Sequence, residues 1–470
     1  MKIGLIVDNP KRDLPGLVLL ARELGKRGLV SYLIPMYTQG FEVPALGLSA
    51  VVVNYMRKAN STFIRSYAQA GISVCVLDTE GGVWENESQF VKSTNHEECA
   101  DYIDAYCFWG ERQKKAFLNA TRVRSERMHV TGCPRFDFYH PSLLEALPPV
   151  GNFDFAPILV ISNFALSHPK FNSPEREIQA MLDAGYERDY AILRQKDDAK
   201  NRVNLKALVA KLAKDYPERS IVIRAHPFES DVDYREEFAA QPNVVVKCEG
   251  VIGPWLKTAA VGIHFNSSVS IDAFLMRKPM LAPKWMLSAL TQDMAEISFG
   301  LSLRVNSYDE LRQLIDQTFK GERVFDESLF EPNALNLLNN WFVDNDGQAH
   351  KRAADVIERV ARSAKIPSRT SLTRALKTGS RGPGNAVGRI DYWGRRLIRP
   401  RAYEYLRGRY LNRSRNWEAR QAKVFTVSEV NDVLSRLRRA LGDASGVKAV
   451  QAPRRDYEIR GMGYGAIRID

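Results

Sequence analysis

Apolar runs alternate along most of this chain with stretches in which apolar residues recur every three to four positions. Residues 2–8 (KIGLIVD) form a continuous apolar run, which predicts a buried strand, and residues 14–28 follow with helical spacing up to Gly28. This alternation is typical of βαβ units, which build a parallel sheet. Further strands in the first part of the chain are predicted over 30–36, 49–55, 72–78, 102–110 and 127–132.

A proline-rich stretch of weak periodicity, residues 136–155, predicts a linker, and the alternation resumes after it. Ser173 followed by Pro174 marks a helix start, and a further helix is predicted over 307–319. The pattern therefore predicts an α/β protein with two Rossmann-like domains, 1–135 and 156–363, facing a cleft. Strands of the second domain are predicted over 156–164, 220–225, 243–248, 260–265 and 279–282.

The amino-acid composition changes near residue 364, so residues 364–470 are expected to form a basic C-terminal extension. Its first part, 366–389, is polar and rich in Gly, Ser and Arg, which is typical of a weakly ordered linker. The next part, 389–417, interleaves Arg with Tyr, Trp and Leu. Residues 427–441 then place apolar side chains on one face of a predicted helix.

Composition and charge refine this organisation. The 470 residues are 45% hydrophobic and 26% charged, which is typical of a soluble globular protein, and no apolar run is long enough to span a bilayer. Residues 361–470 hold 25 of the 67 Lys and Arg but only 9 of the 55 Asp and Glu, so this segment carries +16 and the rest −4. A near-neutral body with a basic, aromatic-rich tail indicates an anionic membrane surface as partner, with nucleic acid not expected. A tail that binds single-stranded RNA by aromatic stacking is the chief alternative.

The first candidate for chemistry follows the strand predicted over 220–225. Arg224 lies at its end, and His226-Pro227 comes directly after it. A histidine at a strand end can donate to a leaving phosphate, and the proline fixes the chain as it leaves the strand. The alternative is a capping or core histidine.

The second candidate is Asn266-Ser267-Ser268, which lies between the strand predicted over 260–265 and a helical stretch. Two hydroxyls at the first turn of a helix combine side-chain donors with exposed backbone N–H groups, which suits a phosphate held without a metal. Plain N-capping by either serine is the alternative.

The first domain offers Asp78, Glu80 and Gly81 after the strand predicted over 72–78. Glycine lets the backbone approach a ligand closely, and Glu80 could act as general acid or base, unless both carboxylates are simply solvated. Arg135 could reach a phosphate or carboxylate, or pair with Asp137. GxGxxG, a P-loop and zinc spacing are absent, so neither a dinucleotide cofactor nor a metal is expected.

With these motifs the sequence resembles the two-Rossmann (GT-B) glycosyltransferases that use CMP-activated sugars, in particular the bacterial surface carbohydrate family related to CMP-Kdo and CMP-sialic acid transferases. Glu80-Gly81, His226-Pro227 and Ser267-Ser268 carry the resemblance, together with the run ILVISNFALSHP over 158–169, which contains Asn163. The sequence is also similar to CDP-glycerol glycerophosphotransferases of teichoic acid synthesis, through Gly132-Cys-Pro-Arg135, Arg224-Ala-His226-Pro227 and the serine pair.

The first resemblance implies transfer of Kdo or a related ulosonic acid from a CMP-sugar to a surface polysaccharide or lipid-linked glycan. It implies an acceptor domain over 1–135, with Glu80 or Asp78 handling the acceptor proton, and a donor domain over 156–363. His226 is then expected to assist CMP as it leaves, with the donor held by Asn163, Arg224, Pro227, Asn266, Ser267 and Ser268 and by Gly81 and Arg135. A cytoplasmic protein at the inner face of the cytoplasmic membrane is expected; a sugar-nucleotide epimerase is a further alternative.

Overall fold

The computed structural model describes residues 1–81, 87–183, 186–293, 296–322, 345–379, 422–443, 446–459 and 465–470, with Phe325, Phe330 and Phe342. The chain divides into two compact units. The first unit draws on Met1–Gly81, Glu87–Ala146 and Asn340–Asp470, and the second comprises Leu147–Asn339.

The strands are short and mostly buried. In chain order they are β1 (Lys2–Val7), β2 (Val30–Pro35), β3 (Ala50–Val53), β4 (Ser73–Leu77), β5 (Ala105–Phe108), β6 (Met128–Val130), β7 (Ile158–Ile161), β8 (Ile221–Arg224), β9 (Val244–Lys247), β10 (Val261–His264), β11 (Met280–Pro283), β12 (Leu303–Val305), β13 (Ala449–Gln451) and β14 (Ile467–Ile469).

Helices lie between most of these strands. In chain order they are α1 (Pro10–Lys26), α2 (Gln39–Leu46), α3 (Ser61–Ala70), α4 (Glu87–Thr94), α5 (Glu111–Leu118), α6 (Pro141–Leu144), α7 (Pro174–Asp183), α8 (Arg188–Asp215), α9 (Val232–Glu237), α10 (Ile252–Thr258), α11 (Val269–Leu275), α12 (Ala289–Asp293), α13 (Glu296–Gly300), α14 (Tyr308–Phe319), α15 (Ala349–Ser363), α16 (Arg369–Gly379) and α17 (Val427–Ala440).

In the first unit, the described strands form one sheet in the order β13-β14-β2-β1-β3-β4-β5-β6. Strands β1 to β6 are parallel, and Leu5 of β1 lies opposite Leu33 of β2 and Val52 of β3. The two C-terminal strands are antiparallel additions, β14 to β2 and β13 to β14. The interior strands read as continuous apolar runs because helices cover both faces of a parallel sheet.

In the second unit, the described strands form a wholly parallel sheet in the order β12-β11-β10-β7-β8-β9. Its core includes Leu159, Val222, Trp255, Leu256 and Met280. Helix α7 begins at Pro174, and Ser307 caps α14 by accepting a hydrogen bond from the Glu310 N–H at 3.1 Å. The prediction of an α/β protein with two Rossmann-like domains is confirmed.

The domain boundaries differ from the predicted ones. Phe136, Phe138 and Tyr139 of the predicted linker are buried within the first unit. Helix α15 lies within the predicted second domain, 156–363, but packs on α1 and on β3, β4 and β5 of the first unit. An amphipathic pattern specifies that a helix buries one face, but it does not specify which sheet receives that face.

The C-terminal region also differs from the predicted extension. Helix α16 falls within the expected linker and buries Leu372, Ala375 and Leu376 while packing on α2 and α3. Helix α17 packs on α1 through Val430, Leu434 and neighbouring residues, as its apolar face predicts. The Arg-aromatic stretch 389–417 lies outside the described residues. Helices of the described chain that are long enough to cross a membrane are not apolar enough to do so.

Candidate functional site

The second unit changes the direction of its strand order at β7. The chain runs from β7 to β8 and β9 on one side, and then returns to place β10 on the other side of β7. In open parallel sheets, ligands bind outside the carboxyl ends of the strands at such a switch point. The loops that follow β7, β8 and β10 carry Asn163, His226 and the segment Asn266-Ser267-Ser268, so the topology brings three of the predicted motifs to adjacent loops.

A hydrogen bond joins the loops after β7 and β10. The exposed Asn163 donates from Nδ2 to the carbonyl oxygen of Asn266 at 3.1 Å. An amide NH₂ group has two hydrogens, so the second remains a possible donor to a ligand. Asn163 and Asn266 therefore lie together at the switch point.

His264, which the sequence motifs did not indicate, holds the serine loop through hydrogen bonds. It is fully buried, its Nδ1 accepts the Ser267 N–H at 3.0 Å, and its Nε2 lies 2.8 Å from Ser302 Oγ. Because Ser302 Oγ donates to the Ser298 carbonyl at 2.6 Å, Nε2 must be the protonated nitrogen. Burial lowers the pKa of His264 to about 3, so the ring stays neutral in this tautomer.

The two serines have different environments. Ser267 is buried, and its Oγ accepts the Val269 N–H at 3.3 Å, so it serves the turn before α11. Ser268 is half-buried at the N-cap position of α11, and its side chain forms no capping hydrogen bond. Neither side chain therefore matches plain N-capping: Ser267 Oγ is used within the turn, and Ser268 Oγ is the better placed hydroxyl to contact a ligand oxygen.

His226 and Pro227 form a tight turn after β8. The His226 carbonyl accepts the Glu229 N–H at 2.9 Å, with Pro227 in the second position of the turn, where its fixed φ is favourable. The half-buried His226 ring accepts the Phe228 N–H at Nδ1 over 3.2 Å. A neutral ring with Nδ1 as acceptor carries its proton on Nε2, which is the donor that a leaving phosphate requires.

Arg224 forms hydrogen bonds that support the fold. It is 6% exposed, and its guanidinium donates to the carbonyls of Lys247 and Gly250 at 3.4 and 2.6 Å. These contacts hold the loop after β9, so the structure does not direct its NH1 and NH2 groups to the serine loop. Its predicted role in donor binding has no support in this geometry.

Glu229, three residues after His226, is a buried carboxylate that none of the sequence motifs indicated. Its Oε2 accepts from Ser162 Oγ at 2.7 Å and from the Phe164 N–H at 3.0 Å, both in the loop after β7. Its Oε1 accepts from Tyr234 Oη at 2.7 Å and from Arg202 Nε at 3.2 Å. One carboxylate thus fixes the His226 turn relative to the Asn163 loop.

The first unit has its own switch point, between β1 and β3, because β2 lies on the other side of β1. Glu80 lies beyond the neighbouring strand β4, and its two oxygens each contact one arginine: Arg12 NH1 at 2.7 Å and Arg57 NH2 at 2.7 Å. Arg12 also pairs with Asp13 at 2.6 Å and Asp8 at 3.3 Å. This edge is therefore a dense ion network with both signs of charge.

The ion network shifts the pKa values of Glu80 and Asp78, the two carboxylates predicted to take the acceptor proton, in opposite directions. Burial alone would raise the pKa of Glu80, but Arg12 and Arg57 outweigh it and lower the pKa to about 2. Burial raises the pKa of the fully buried Asp78 to about 6, against the opposing charge of Arg57. Glu80 is thus ionised but weakly basic, and Asp78 is more basic but inaccessible.

Gly81 serves packing. A Cβ at this position would lie 2.3 Å from Gln113 Nε2 and 2.8 Å from Trp109 Cδ2. Gln113 donates to the Gly81 carbonyl at 2.9 Å, and Trp109 Nε1 donates to the Asp78 carbonyl at 2.6 Å. The small residue is required by the protein's own side chains, which secure the loop after β4.

Arg135 stacks over Phe136, with its Cζ 4.5 Å from the ring centroid. The carboxylate of Asp137 accepts the backbone N–H groups of Ala349 and His350 at 3.0 and 2.7 Å, and it also contacts His350 Nδ1 at 2.7 Å. Asp137 therefore caps α15.

In the described part of the chain, His, Cys, Asp and Glu side chains form no group of three that could hold a metal ion.

Comparison with known proteins gives a distant structural likeness. No protein-family model matches the chain, and no curated protein matches it in sequence. The structure is similar to UDP-GlcNAc 2-epimerase from Neisseria meningitidis bound to UDP-GlcNAc, with 14% identity, a TM-score of 0.45, and coverage of 76% of this chain and 100% of that one. For the Methanocaldococcus jannaschii UDP-GlcNAc 2-epimerase the values are 12%, 0.46, 76% and 100%. A structure of wall teichoic acid polymerase TagF with CDPG gives 11%, 0.46, 77% and 88%. TM-scores below 0.5 support no conclusion about function.

Proposed function

We propose that the protein is a glycosyltransferase that moves Kdo, or a related ulosonic acid, from a CMP-sugar to a surface polysaccharide or lipid-linked glycan. The observation that carries this proposal is the placement of Asn163, His226 and Ser268 on the loops after three adjacent strands at one switch point. All three residues offer neutral hydrogen-bond donors, which suit a phosphate group that gains negative charge.

The proposed step breaks the bond between the anomeric carbon of the sugar and the phosphate oxygen of CMP. The electron pair leaves with CMP, and the acceptor hydroxyl forms the new bond to carbon and gives up its proton to water. His226 Nε2–H donates to the departing phosphate, while Ser268 Oγ and Asn163 Nδ2 donate to its other oxygens. Donors fixed in advance are typically worth a few kcal/mol each in such a step.

The acceptor hydroxyl must release its proton as the new bond forms. Glu80 was the predicted base, but its two arginine partners and its pKa of about 2 make it a poor one. This observation favours the second candidate, a CDP-glycerol type phosphotransferase, because the glycosyl prediction relied on Glu80-Gly81. In that reaction the phosphorus–oxygen bond breaks, CMP again leaves, and His226 keeps the same role.

A donor comparison tests the proposal. Purified protein is incubated with CMP-Kdo, CMP-sialic acid, CDP-glycerol or UDP-GlcNAc, with and without glycan acceptors, and the products are identified by mass spectrometry. Sugar transfer from a CMP-sugar supports the glycosyltransferase, and glycerophosphate transfer from CDP-glycerol supports the second candidate. Conversion of a UDP-sugar alone to its isomer would instead establish an epimerase and overturn both.

Two substitutions separate the roles of His226. His226→Asn keeps an acceptor for the Phe228 N–H but removes the Nε2 donor, and His226→Gln places an amide donor near the Nε2 position. We expect His226→Asn to lower kcat by about 10²–10⁴ if the ring transfers a proton, with His226→Gln equally impaired. Partial activity of His226→Gln indicates hydrogen bonding alone. His96→Ala, a partly exposed histidine of the first unit, is the control.

The basic segment is proposed to hold the protein at the anionic inner face of the cytoplasmic membrane, where lipid-linked acceptors lie. Each basic residue near such a surface contributes about 1 kcal/mol. Deleting 364–470 would remove α16, α17, β13 and β14, so the test uses the full chain with Arg395, Arg396, Arg399 and Arg401 replaced by Gln. Reduced flotation with anionic vesicles supports this location; unchanged flotation contradicts it.

A further inference from the structure

The first unit contains a cavity of about 410 Å³. It is lined by Arg22, Glu23 and Lys26 from the last turns of α1, by Lys351 from the start of α15, and by Asp443 after α17. Ten residues of helix separate Arg22 from Arg12 of the ion network, or about 15 Å along the α1 axis at 1.5 Å per residue. The cavity is therefore separate from that ion network, and it shares no lining residue with the loops that carry Asn163, His226 and Ser268.

Asp443 contacts two of the cavity's cations. Its Oδ2 contacts both Arg22 NH2 and Lys26 Nζ, so two positive charges share one carboxylate oxygen. The other lining carboxylate, Glu23, is engaged by Arg27 at 2.9 Å. Both carboxylates of the cavity lining, Asp443 and Glu23, are thus already paired with cations.

Further positive charge surrounds this pair. Lys351 is exposed at the cavity and has no acidic partner among the residues that the structure describes. Arg438 of α17 lies close enough to Arg22 to oppose its charge. The cavity therefore has more positive than negative charge, and an anion entering it would gain attraction from several cations at once.

This excess of positive charge is unusual because one of the cations, Arg22, is only 3% exposed. A buried guanidinium is costly unless its donors and charge are satisfied, and it is a group that recognises carboxylates and phosphates in paired geometry. Asp443 meets part of this requirement from a chain turn, Leu441-Gly442, in which Gly442 has a positive φ of 58°. A ligand oxyanion could meet the same requirement from the cavity side.

We propose that this cavity binds a small oxyanion with two or more negative charges, whose oxygens contact Arg22, Lys26 and Lys351 and take over part of the role of Asp443. The size is suitable, because pockets of about 300–1,000 Å³ accommodate small metabolites. The class is that of phosphate esters and dicarboxylates. The site is independent of the proposed sugar transfer.

The test uses inorganic pyrophosphate and succinate as probes in isothermal titration calorimetry with the full-length protein. Lys26→Gln is the main variant, because Lys26 is 39% exposed and its replacement leaves no buried charge unpaired. We expect this variant to weaken pyrophosphate binding by about tenfold or more, which corresponds to the loss of one charge-assisted contact. Lys115→Gln, an exposed lysine on α5, makes the same charge change elsewhere and should bind as the wild type does.

Asp443→Asn distinguishes this site from general electrostatic attraction. Removing the competing carboxylate should tighten pyrophosphate binding by about threefold or more, with weaker binding at higher salt. Binding that responds to Lys26→Gln and Asp443→Asn is assigned to this cavity, because neither residue belongs to the proposed donor site. Binding of succinate as well extends the class to dicarboxylates. Absence of binding by both probes, or binding that is insensitive to Lys26→Gln and Asp443→Asn, overturns the proposal.

Discussion

Lys423 Nζ lies 2.6 Å from Asp8 Oδ1, which joins two residues that are 415 positions apart in the chain. Asp8 directly follows β1 at the switch point of the first unit, and Lys423 precedes α17. The side chains are only 9% and 14% exposed. The C-terminal region thus supplies a charged group to the same edge of the sheet that holds Arg12, Arg57 and Glu80.

Replacing Lys423 by Met should destabilise the first unit. The change leaves Asp8 with Arg12 as its described ion partner, at 3.3 Å, so we expect a loss of about 1–3 kcal/mol in the free energy of unfolding, below the cost of a fully orphaned buried charge. Urea denaturation measures the loss. Lys448→Met, an exposed lysine in the same region, should change the midpoint little; equal effects of both variants would contradict a specific role for the Asp8 contact.

Glu80 should stabilise the protein in a pH-dependent way. Its pKa is lowered in the folded state from the usual 4.5 to about 2, so the ionised form stabilises the fold above pH 4.5 and this contribution is lost as the pH falls towards 2. Glu80→Gln should therefore cost about 2 kcal/mol at neutral pH, and the difference from wild type should shrink between pH 4.5 and 2. Unfolding measured across this range checks the sign.

The control for that experiment is Glu98→Gln, because Glu98 forms an exposed ion pair with Arg65 and is 67% exposed. Exposed pairs contribute little, so this variant should follow the wild type at every pH. A difference between wild type and Glu80→Gln that stays constant down to pH 2 would show that Glu80 is not held by Arg12 and Arg57 as described.

Glu229→Gln should weaken both folding and donor binding. An amide nitrogen cannot accept, so two of the four donors around Glu229 lose their acceptor, at a cost of about 2–5 kcal/mol. Because Glu229 fixes the His226 turn against the loop after β7, CMP affinity measured by calorimetry should also fall. Tyr234→Phe removes one of the four contacts and should cost about 1 kcal/mol. CMP affinity that is unchanged in folded Glu229→Gln would contradict the positioning role.

Two glycines of α1 provide a matched pair. A Cβ at Gly16 would lie 2.7 Å from the Arg135 backbone nitrogen, which cannot move aside easily, whereas a Cβ at Gly25 would meet only Val447 side-chain carbons, the nearest at 3.7 Å. Gly16→Ala should lose about 1–3 kcal/mol of stability. Gly25→Ala should gain up to about 1 kcal/mol, because alanine favours helix. Thermal unfolding midpoints that shift in the same direction would refute this reading of the packing.

Local patterns in the sequence determined the class of the fold and the strand ends that carry chemistry. Apolar runs of strand length followed by helical spacing identified β1 to β11 and both Rossmann-like domains, because these patterns depend on neighbouring residues alone. The parallel topology then implied that His226, Asn266 and Ser268 share one edge of a sheet. His264, three residues before Ser267, and Glu229, three after His226, also lie close to the motifs in sequence.

The tertiary structure decided the partners. Apolar periodicity shows that α17 buries one face, but only the folded chain shows that α15, α16 and α17 all pack within the first unit, and only it pairs β14 with β2. Glu80 has the sequence context of a general base, and its arginine partners, 68 and 23 residues away, make it an anchor instead. Ion pairs and sheet edges depend on contacts between distant residues, and a linear pattern of apolar and polar positions does not encode which distant residue is met.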